Sequence, residues 1–267
     1  MRTFTSIRVS QVHGFTLVEI LAVVAVLGLL MGLALPVLGK ARESGQKTAE
    51  VSAARALITA FQTYASDNGG LYLPGYQDPG RDVVLRNDKG GVISDTHARS
   101  RYAWRIAPYV DYDVSGVLLV NNASKAPASD AMYDYKVSVY TTLGMNTTFV
   151  GGDYSSGARL RPNDRRTQAQ LGNFCVQNIH QAIKPSSLIV FASAGSSMNG
   201  RPEAGRYAVD PLSLHSANKG HLDFRYGGKA VVACLGGNVE MISEEEALDM
   251  RRWANGAAEA DNPNWAP

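Results

Sequence analysis

A single carboxylate, that of Glu19, lies in a run of 25 residues from Phe15 to Gly39 that contains no other charged side chain. An apolar run of this length can cross the hydrocarbon core of a bilayer as one helix, which requires about 20 residues. A carboxylate in such a helix costs a few kcal/mol unless it finds a partner. Glu19 is therefore the residue of this chain most strongly marked for a functional role.

The two cysteines and a short histidine cluster are further candidates for covalent or metal chemistry. Cys175 and Cys234 can pair in an oxidising compartment or remain separate core thiols, and the sequence leaves both possibilities open. His215, His221 and Asp223 lie close in sequence, but their spacing matches neither one face of a helix nor a zinc signature. We expect no metal site and no cofactor.

Neither the acids in the predicted loops nor any catalytic motif indicates an enzyme. Asp130, Asp134 and Asp153 could bind Ca²⁺ through their oxygens, although scattered loop carboxylates are usually only solvated. The sequence contains no Gly-x-Ser-x-Gly elbow, no His-Glu-x-x-His pair, no phosphate-binding loop and no dinucleotide fingerprint. We therefore do not expect the chain to be an enzyme.

The charge distribution argues against a nucleic-acid partner. The net charge is +2 and the isoelectric point is about 8.5, with no basic run. A dedicated nucleic-acid-binding domain carries a basic patch or stripe. The best basic segment, Arg161 to Arg166, includes Asp164, so we expect an exposed loop there.

The residues around Glu19 form a motif, Gly-Phe-Thr-Leu-Val-Glu from Gly14 to Glu19. This motif closely resembles the type III signal of type IV pilins and type II secretion pseudopilins. The leader before it contains Arg2, Arg8 and His13 and no acid, as such leaders usually do. The resemblance extends from Gly14 to about Pro36.

The resemblance implies a role for four residues. In that family a membrane aspartyl protease, the prepilin peptidase, cleaves after the glycine, here Gly14, and N-methylates the new first residue, here Phe15. Glu19 becomes the fifth residue of the mature chain, the position that the family reserves for a glutamate used in assembly. Pro36 lies where many members have a proline that kinks the helix.

Cleavage after Gly14 would create an amino group that could pair with Glu19. The new α-amino group of Phe15 would have an unperturbed pKa near ~8 and would be cationic at neutral pH. It would lie about one helical turn from Glu19 in the same chain. An amine from a neighbouring subunit, shifted along a bundle of helices, would be a better partner. Such a pair would also fix the axial register of the subunits.

Two simpler interpretations of the apolar run are an ordinary single-pass anchor and a secretory signal peptide. An anchor with an incidental glutamate would not require Gly14, the hexapeptide and an acid-free leader together. A signal peptide is disfavoured because the run exceeds the usual ~7–15 apolar residues and no small-x-small site ends it.

Charge alone does not orient the predicted membrane helix. Arg2 and Arg8 precede the run, whereas Lys40, Arg42 and Lys47 follow it closely, so the positive-inside count is ambiguous. The resemblance implies a single pass through the inner membrane, a cytoplasmic leader and a periplasmic C-terminal domain. After processing, it implies a place in a pilus or pseudopilus.

The predicted helix continues beyond the apolar run. The segment from Lys40 to Ser66 contains no proline, and apolar residues recur at three- and four-residue intervals along one helical face. The members of this stripe are Val51, Ala54, Ile58, Phe61 and Ala65, widened by Leu57 and Tyr64. We expect one helix from about Phe15 to Ser66, bent at Pro36, and ended by the Asn68-Gly69-Gly70 sequence.

The remaining chain, residues 67–267, is long enough for one domain with its own core. Short β-prone runs predict its strands: Val83–Leu85, Val117–Val120, Tyr135–Tyr140, Leu188–Ala192, Lys229–Leu235 and Asn238–Ile242. Gly236 and Gly237 predict a hairpin turn in which both residues can adopt a positive φ. Ser243 to Glu246 predicts a capped helix that extends to about Trp253, and we expect the segment after it to be frayed.

Parts of this domain resemble a large family of pilin-like proteins of planctomycetes and verrucomicrobia-type bacteria. The resembling segments are Tyr102–Tyr109, Leu143–Asn146 and Pro185–Ala192. That family ends in a His-x9-Asp-Gly motif. Here Tyr226, nine residues and then Gly236-Gly237 occupy those positions, so the motif is degenerate and a ligand role for it is not implied.

These observations predict an α+β fold, with a long pilin-type helix packed on an antiparallel β-sheet domain. The expected organisation is a leader at 1–14, a helix at 15–66 whose residues 15–39 span the membrane, and a globular domain at 67–267. The favoured function is a structural pilin or pseudopilin subunit. Its expected partners are the prepilin peptidase, other subunits, an inner-membrane assembly platform and the membrane. The alternative is a pilin-anchored module that binds cargo, a glycan or a surface.

Overall fold

The computed structural model describes residues 16–198 and 201–267, with the side chains of residues 33–36 and 196–204 outside that description. The chain divides into two compact units, Met1–Gly45 and Gln46–Pro267. One helix, α1, contributes residues to both units.

Helix α1 extends over Leu17–Asp67 without interruption, so the prediction of a single long helix is confirmed. Its C-terminus forms where the sequence predicts. The amide of Gly70 donates to the carbonyl oxygen of Ala65 at 2.7 Å, and Gly69 has a φ of 65°. Such a left-handed glycine after the last turn satisfies carbonyls that the helix leaves free. Pro36 lies within α1, and a bend there stays a prediction.

Short elements make up the rest of the fold. The α-helices are α2 Thr96–Ser100, α3 Tyr102–Ile106, α4 Tyr133–Val139, α5 Arg165–Leu171, α6 Glu244–Ala247 and α7 Asn255–Glu259. The strands are β1 Leu143–Asn146, β2 Ile189–Ser193, β3 Gly195–Met198, β4 Arg201–Ala204, β5 Ala208–Val209, β6 Lys229–Cys234 and β7 Val239–Ser243.

Five strands form the central sheet in the order β5-β1-β2-β6-β7, and β3 and β4 form a separate hairpin. The pairs β1-β2, β2-β6 and β6-β7 are antiparallel. The two-residue strand β5 is parallel to β1, so the sheet is mixed. The α+β class with a long helix against a sheet is confirmed.

Both faces of the sheet are buried, as strand β6 shows. Val231, Ala233 and Leu235 belong to one buried cluster, whereas Val232 and Cys234 belong to the other. This is the two-residue alternation expected of a strand, and the predicted β6-β7 hairpin is confirmed. Only Gly237 of the turn pair has a positive φ, 93°.

The globular part of α1 packs its apolar stripe against this sheet. Ile58 and Phe61 are fully buried. The ring of Phe61 stacks on Tyr72 with centroids 5.0 Å apart and meets Phe191 of β2 edge-on at 5.6 Å. Burial of each such side chain contributes about 1.5–3 kcal/mol. The predicted stripe is confirmed, and it holds the second half of α1 in the domain core.

Three predicted strands are wrong. Val83–Leu85 lies in a loop, Val117–Val120 overlaps a π-helix over Val114–Leu118, and Tyr135–Tyr140 overlaps α4. In α4 the buried residues Tyr133 and Val137 are four positions apart, which places both on one helical face. Tertiary packing of that face therefore overrides the local preference of aromatic and β-branched residues for strands.

The C-terminal segment is also more ordered than predicted. The Ser243–Glu246 capping box is present, but α6 ends at Ala247. The segment after Trp253 is not frayed, because α7 forms there. The side chain of Asn255 accepts from the amide of Ile183 at 2.9 Å and donates to the carbonyl of Gln181 at 2.7 Å.

A buried polar network joins α1 to the sheet. Glu50 lies beside the apolar stripe and is 0% exposed. Its Oε1 accepts from the hydroxyl of Ser193 in β2, and its Oε2 accepts from the hydroxyl of Tyr226 at 2.6 Å. Nη1 of Arg225 lies 3.4 Å from the same Oε2. The network replaces the hydration that a buried carboxylate loses.

We expect Glu50→Ala to lower the free energy of unfolding by about 3 kcal/mol, because it leaves part of this network buried without its acceptor. The effect should lie at the low end of the range for broken buried pairs, since Asp223 remains 3.2 Å from Arg225. Urea denaturation of the full chain in detergent, followed by near-ultraviolet circular dichroism, measures the change. Glu43→Ala, at an exposed position of the same helix, should have almost no effect. Equal stability of the two variants would contradict the prediction.

Candidate functional site

The first turn of α1 is closed by its own side chains. The amide and the hydroxyl of Thr16 donate to Oε2 of Glu19 at 2.8 and 2.9 Å. The amide of Glu19 lies 3.3 Å from Oγ1 of Thr16 and donates to it. This reciprocal arrangement is a capping box, in which Thr16 is the N-cap and Glu19 is the third helical residue.

The capping box leaves one oxygen of Glu19 available. Oε2 takes both bonds from Thr16, whereas Oε1 accepts no hydrogen bond from any residue that the structure describes. A carboxylate can accept several donors at once. Glu19 can therefore cap its own helix and still receive a second donor.

The side chains that follow Glu19 are apolar and exposed. Leu17, Val18 and Leu29 are 80%, 73% and 70% exposed. The best 18-residue window of α1 has a mean hydropathy of 2.7, and α1 is long and apolar enough to cross a membrane. An apolar surface of this extent marks a site of contact with lipid or with other proteins. It can be covered by acyl chains, by helices of other subunits, or by both.

The structure describes two of the four residues that the sequence assigns to processing and assembly. Gly14 and Phe15 lie outside the described residues. Glu19 lies in the first turn of α1, and the backbone of Pro36 lies in the same helix. The capping role of Thr16 was not foreseen, although the Thr-x-x-Glu spacing is itself a capping-box signature.

The other candidate sites hold no ligand geometry. Across residues 16–198 and 201–267, no three His, Cys, Asp or Glu side chains are grouped to hold a metal ion. Asp130 pairs with Lys136, and Asp153 accepts from the amide of Ser155 at 2.9 Å. Asp134 accepts from the side-chain amide of Asn87, also at 2.9 Å.

The two cysteines are free and buried. Burial raises the pKa of the Cys175 thiol well above its ordinary range. Burial, and then the charge of Glu240, raise the pKa of Cys234 to about 11. Both thiols are therefore protonated at neutral pH, and protonated buried thiols are poor nucleophiles and poor metal ligands.

Comparison with known proteins identifies the N-terminal segment. Residues 10–35 match the family model of the prokaryotic N-terminal methylation motif. This match supports a type IV pilin-like family. The motif is a structural pilin-type signal and not an enzyme signature, and it implies processing by prepilin peptidase and assembly with other pilin subunits. No curated protein and no solved structure matches the chain.

The matched segment and the geometry agree. Residues 10–35 include Gly14, Phe15 and Glu19, together with the capping box and most of the exposed apolar surface. An N-terminal apolar helix with this motif is consistent with anchoring in a membrane. The match does not reach the domain that begins at residue 46.

Proposed function

We propose that this chain is a prepilin-like structural subunit. Prepilin peptidase cleaves it after Gly14 and N-methylates Phe15. The mature chain then assembles through the first half of α1 into a type IV pilus or a type II secretion pseudopilus. The observation that carries the proposal is Glu19 at the start of an exposed apolar helix, within the matched methylation motif.

The geometry of Glu19 suggests how assembly is directed. Its free Oε1 is the acceptor for the methylated amine of Phe15 on a neighbouring subunit. In a membrane the amine and the carboxylate would each be costly alone, and the pair would offset that cost. Subunits that pack at the wrong axial position would leave both groups unpaired, so the pair selects one register.

The proposal includes a topology and a set of partners. The leader lies in the cytoplasm, residues 15–39 span the inner membrane, and the globular domain lies in the periplasm. The partners are the prepilin peptidase, other pilin or pseudopilin subunits and the inner-membrane assembly platform, with no nucleic acid. A bend at Pro36, caused by its missing amide donor and ring, adapts the helix to packing in the filament.

Mass spectrometry of the N-terminal peptide from membranes tests the proposed processing. We expect a peptide that begins at Phe15 and is heavier than the unmodified sequence by one methyl group. In cells that lack prepilin peptidase the same peptide should retain residues 1–14. Cleavage at another position, or an intact leader in the presence of active peptidase, would refute the proposal.

A further inference from the structure

A buried arginine lies between two tyrosine rings in the globular domain. Arg101 joins α2 and α3 and is only 8% exposed. Its guanidinium carbon lies 4.8 Å from the ring centroid of Tyr135 and 4.9 Å from that of Tyr207. The ring of Tyr76 lies 6.3 Å from Tyr207, and its hydroxyl bonds Nδ1 of His97 at 2.8 Å.

The guanidinium of Arg101 makes fewer hydrogen bonds than a buried charge normally makes. Nη1 donates to the hydroxyl of Ser138 at 3.0 Å, but Nε is buried without a hydrogen-bond partner. No acid of the described chain forms an ion pair with Arg101. Buried charges in proteins are normally paired, so this arginine lacks an anion.

The side chain of Arg206, which directly precedes Tyr207 in the chain, also lacks a hydrogen-bond partner at one nitrogen. Its Nε is also buried without a partner, and within the described residues its side chain forms no ion pair. Burial raises the pKa of Tyr207, the charge of Asp153 raises it further, and the charges of Arg101 and Arg206 lower it. Both arginines therefore act electrostatically on Tyr207.

We propose that Arg101, Arg206 and the rings of Tyr76, Tyr135 and Tyr207 form a binding site for an acidic sugar, which is held through its single carboxylate. The planar guanidinium fork matches the two oxygens of a carboxylate. The three tyrosines are partly exposed and offer ring surface and hydroxyl groups, a combination that suits a compact ring bearing many hydroxyls. This binding activity is independent of the proposed assembly function.

The burial of Arg101 between the rings of Tyr135 and Tyr207 restricts the size of the ligand. The small exposed fraction of Arg101 favours a compact group over a broad protein surface, which would bury about 800 Å² on each partner.

Titration calorimetry on the purified full chain in detergent tests this site with glucuronate. Glucose, which lacks the carboxylate, and acetate, which lacks the ring, should each bind about tenfold more weakly than glucuronate. Arg101→Lys keeps the charge but loses the fork and should weaken glucuronate binding about tenfold. Arg166→Lys, at an exposed arginine of α5, should bind as the parent does.

Other outcomes would overturn the proposal. If glucose binds as tightly as glucuronate, the carboxylate is not recognised. If acetate binds as tightly as glucuronate, the sugar ring is not recognised. If inorganic phosphate or an aspartate-rich peptide binds more tightly than glucuronate, the site is specific for another class of ligand and the proposal is wrong. If Arg101→Lys does not fold, as judged by circular dichroism, Arg206→Gln at a partly exposed position decides: unchanged glucuronate binding would refute the site.

Discussion

Substitution of Gly14 by valine should leave the chain as an uncut precursor that retains residues 1–14. A protease that cuts at the membrane face must seat an extended backbone at the cleavage point, and glycine alone offers a backbone without Cβ there. A branched valine would obstruct that approach. The N-terminal peptide should therefore carry the 14-residue leader and no methyl group on Phe15.

A second glycine provides the matched control. Gly28 lies in the apolar part of α1, and a Cβ added there meets no atom within 4 Å. Gly28→Val makes the same change of side chain at a position within α1, and it should be cleaved and methylated as the parent is. Normal cleavage of Gly14→Val would show that the motif does not direct processing.

Substitution of Glu19 by valine should have the opposite pattern, with normal cleavage and failed assembly. The variant loses an acid that is costly in the membrane, so its insertion should be at least as efficient. The amine of an incoming Phe15 nevertheless loses its complementary charge. We expect incorporation into sheared filaments or cross-linked pseudopili to fall by about tenfold or more.

Thr16 separates the two roles that Glu19 can play. Thr16→Val breaks the capping box, because it removes the hydroxyl that donates to Oε2 and accepts from the amide of Glu19, but it keeps the carboxylate. If assembly depends on the charge pair, Thr16→Val should still assemble at a substantial level. Equal loss in Thr16→Val and Glu19→Val would assign the effect to capping. Normal incorporation of Glu19→Val would refute the assembly role.

The long helix and the β6-β7 hairpin could be predicted because their signals are local. The apolar run is long enough for a membrane-spanning helix. The stripe from Val51 to Ala65 has helical periodicity over several turns. In the hairpin, alternation along β6 and the glycine pair after it both indicate the same turn. Each signal is contained in fewer than about 30 consecutive residues.

The three strands that were predicted wrongly depend on tertiary contacts and not on local signals. In Tyr135–Tyr140 the residue types favour a strand, but their burial depends on what packs above them. The core accepts Tyr133 and Val137 on one side of α4, and that contact decides the conformation. Segments this short contain too little periodicity to oppose tertiary packing.

The sequence by itself determined the N-terminal part of this protein, because the apolar helix, its lone acid and the cleavage motif are all contiguous. Only the tertiary structure decided the state of the buried charges. Glu50 meets Tyr226 across 176 positions of the chain, and Arg101 lies between rings from α4 and from the segment before β5. A charge on a helix appears the same in sequence whether it is solvated, paired or left without an anion. Its environment depends on distant segments that meet only when the core forms.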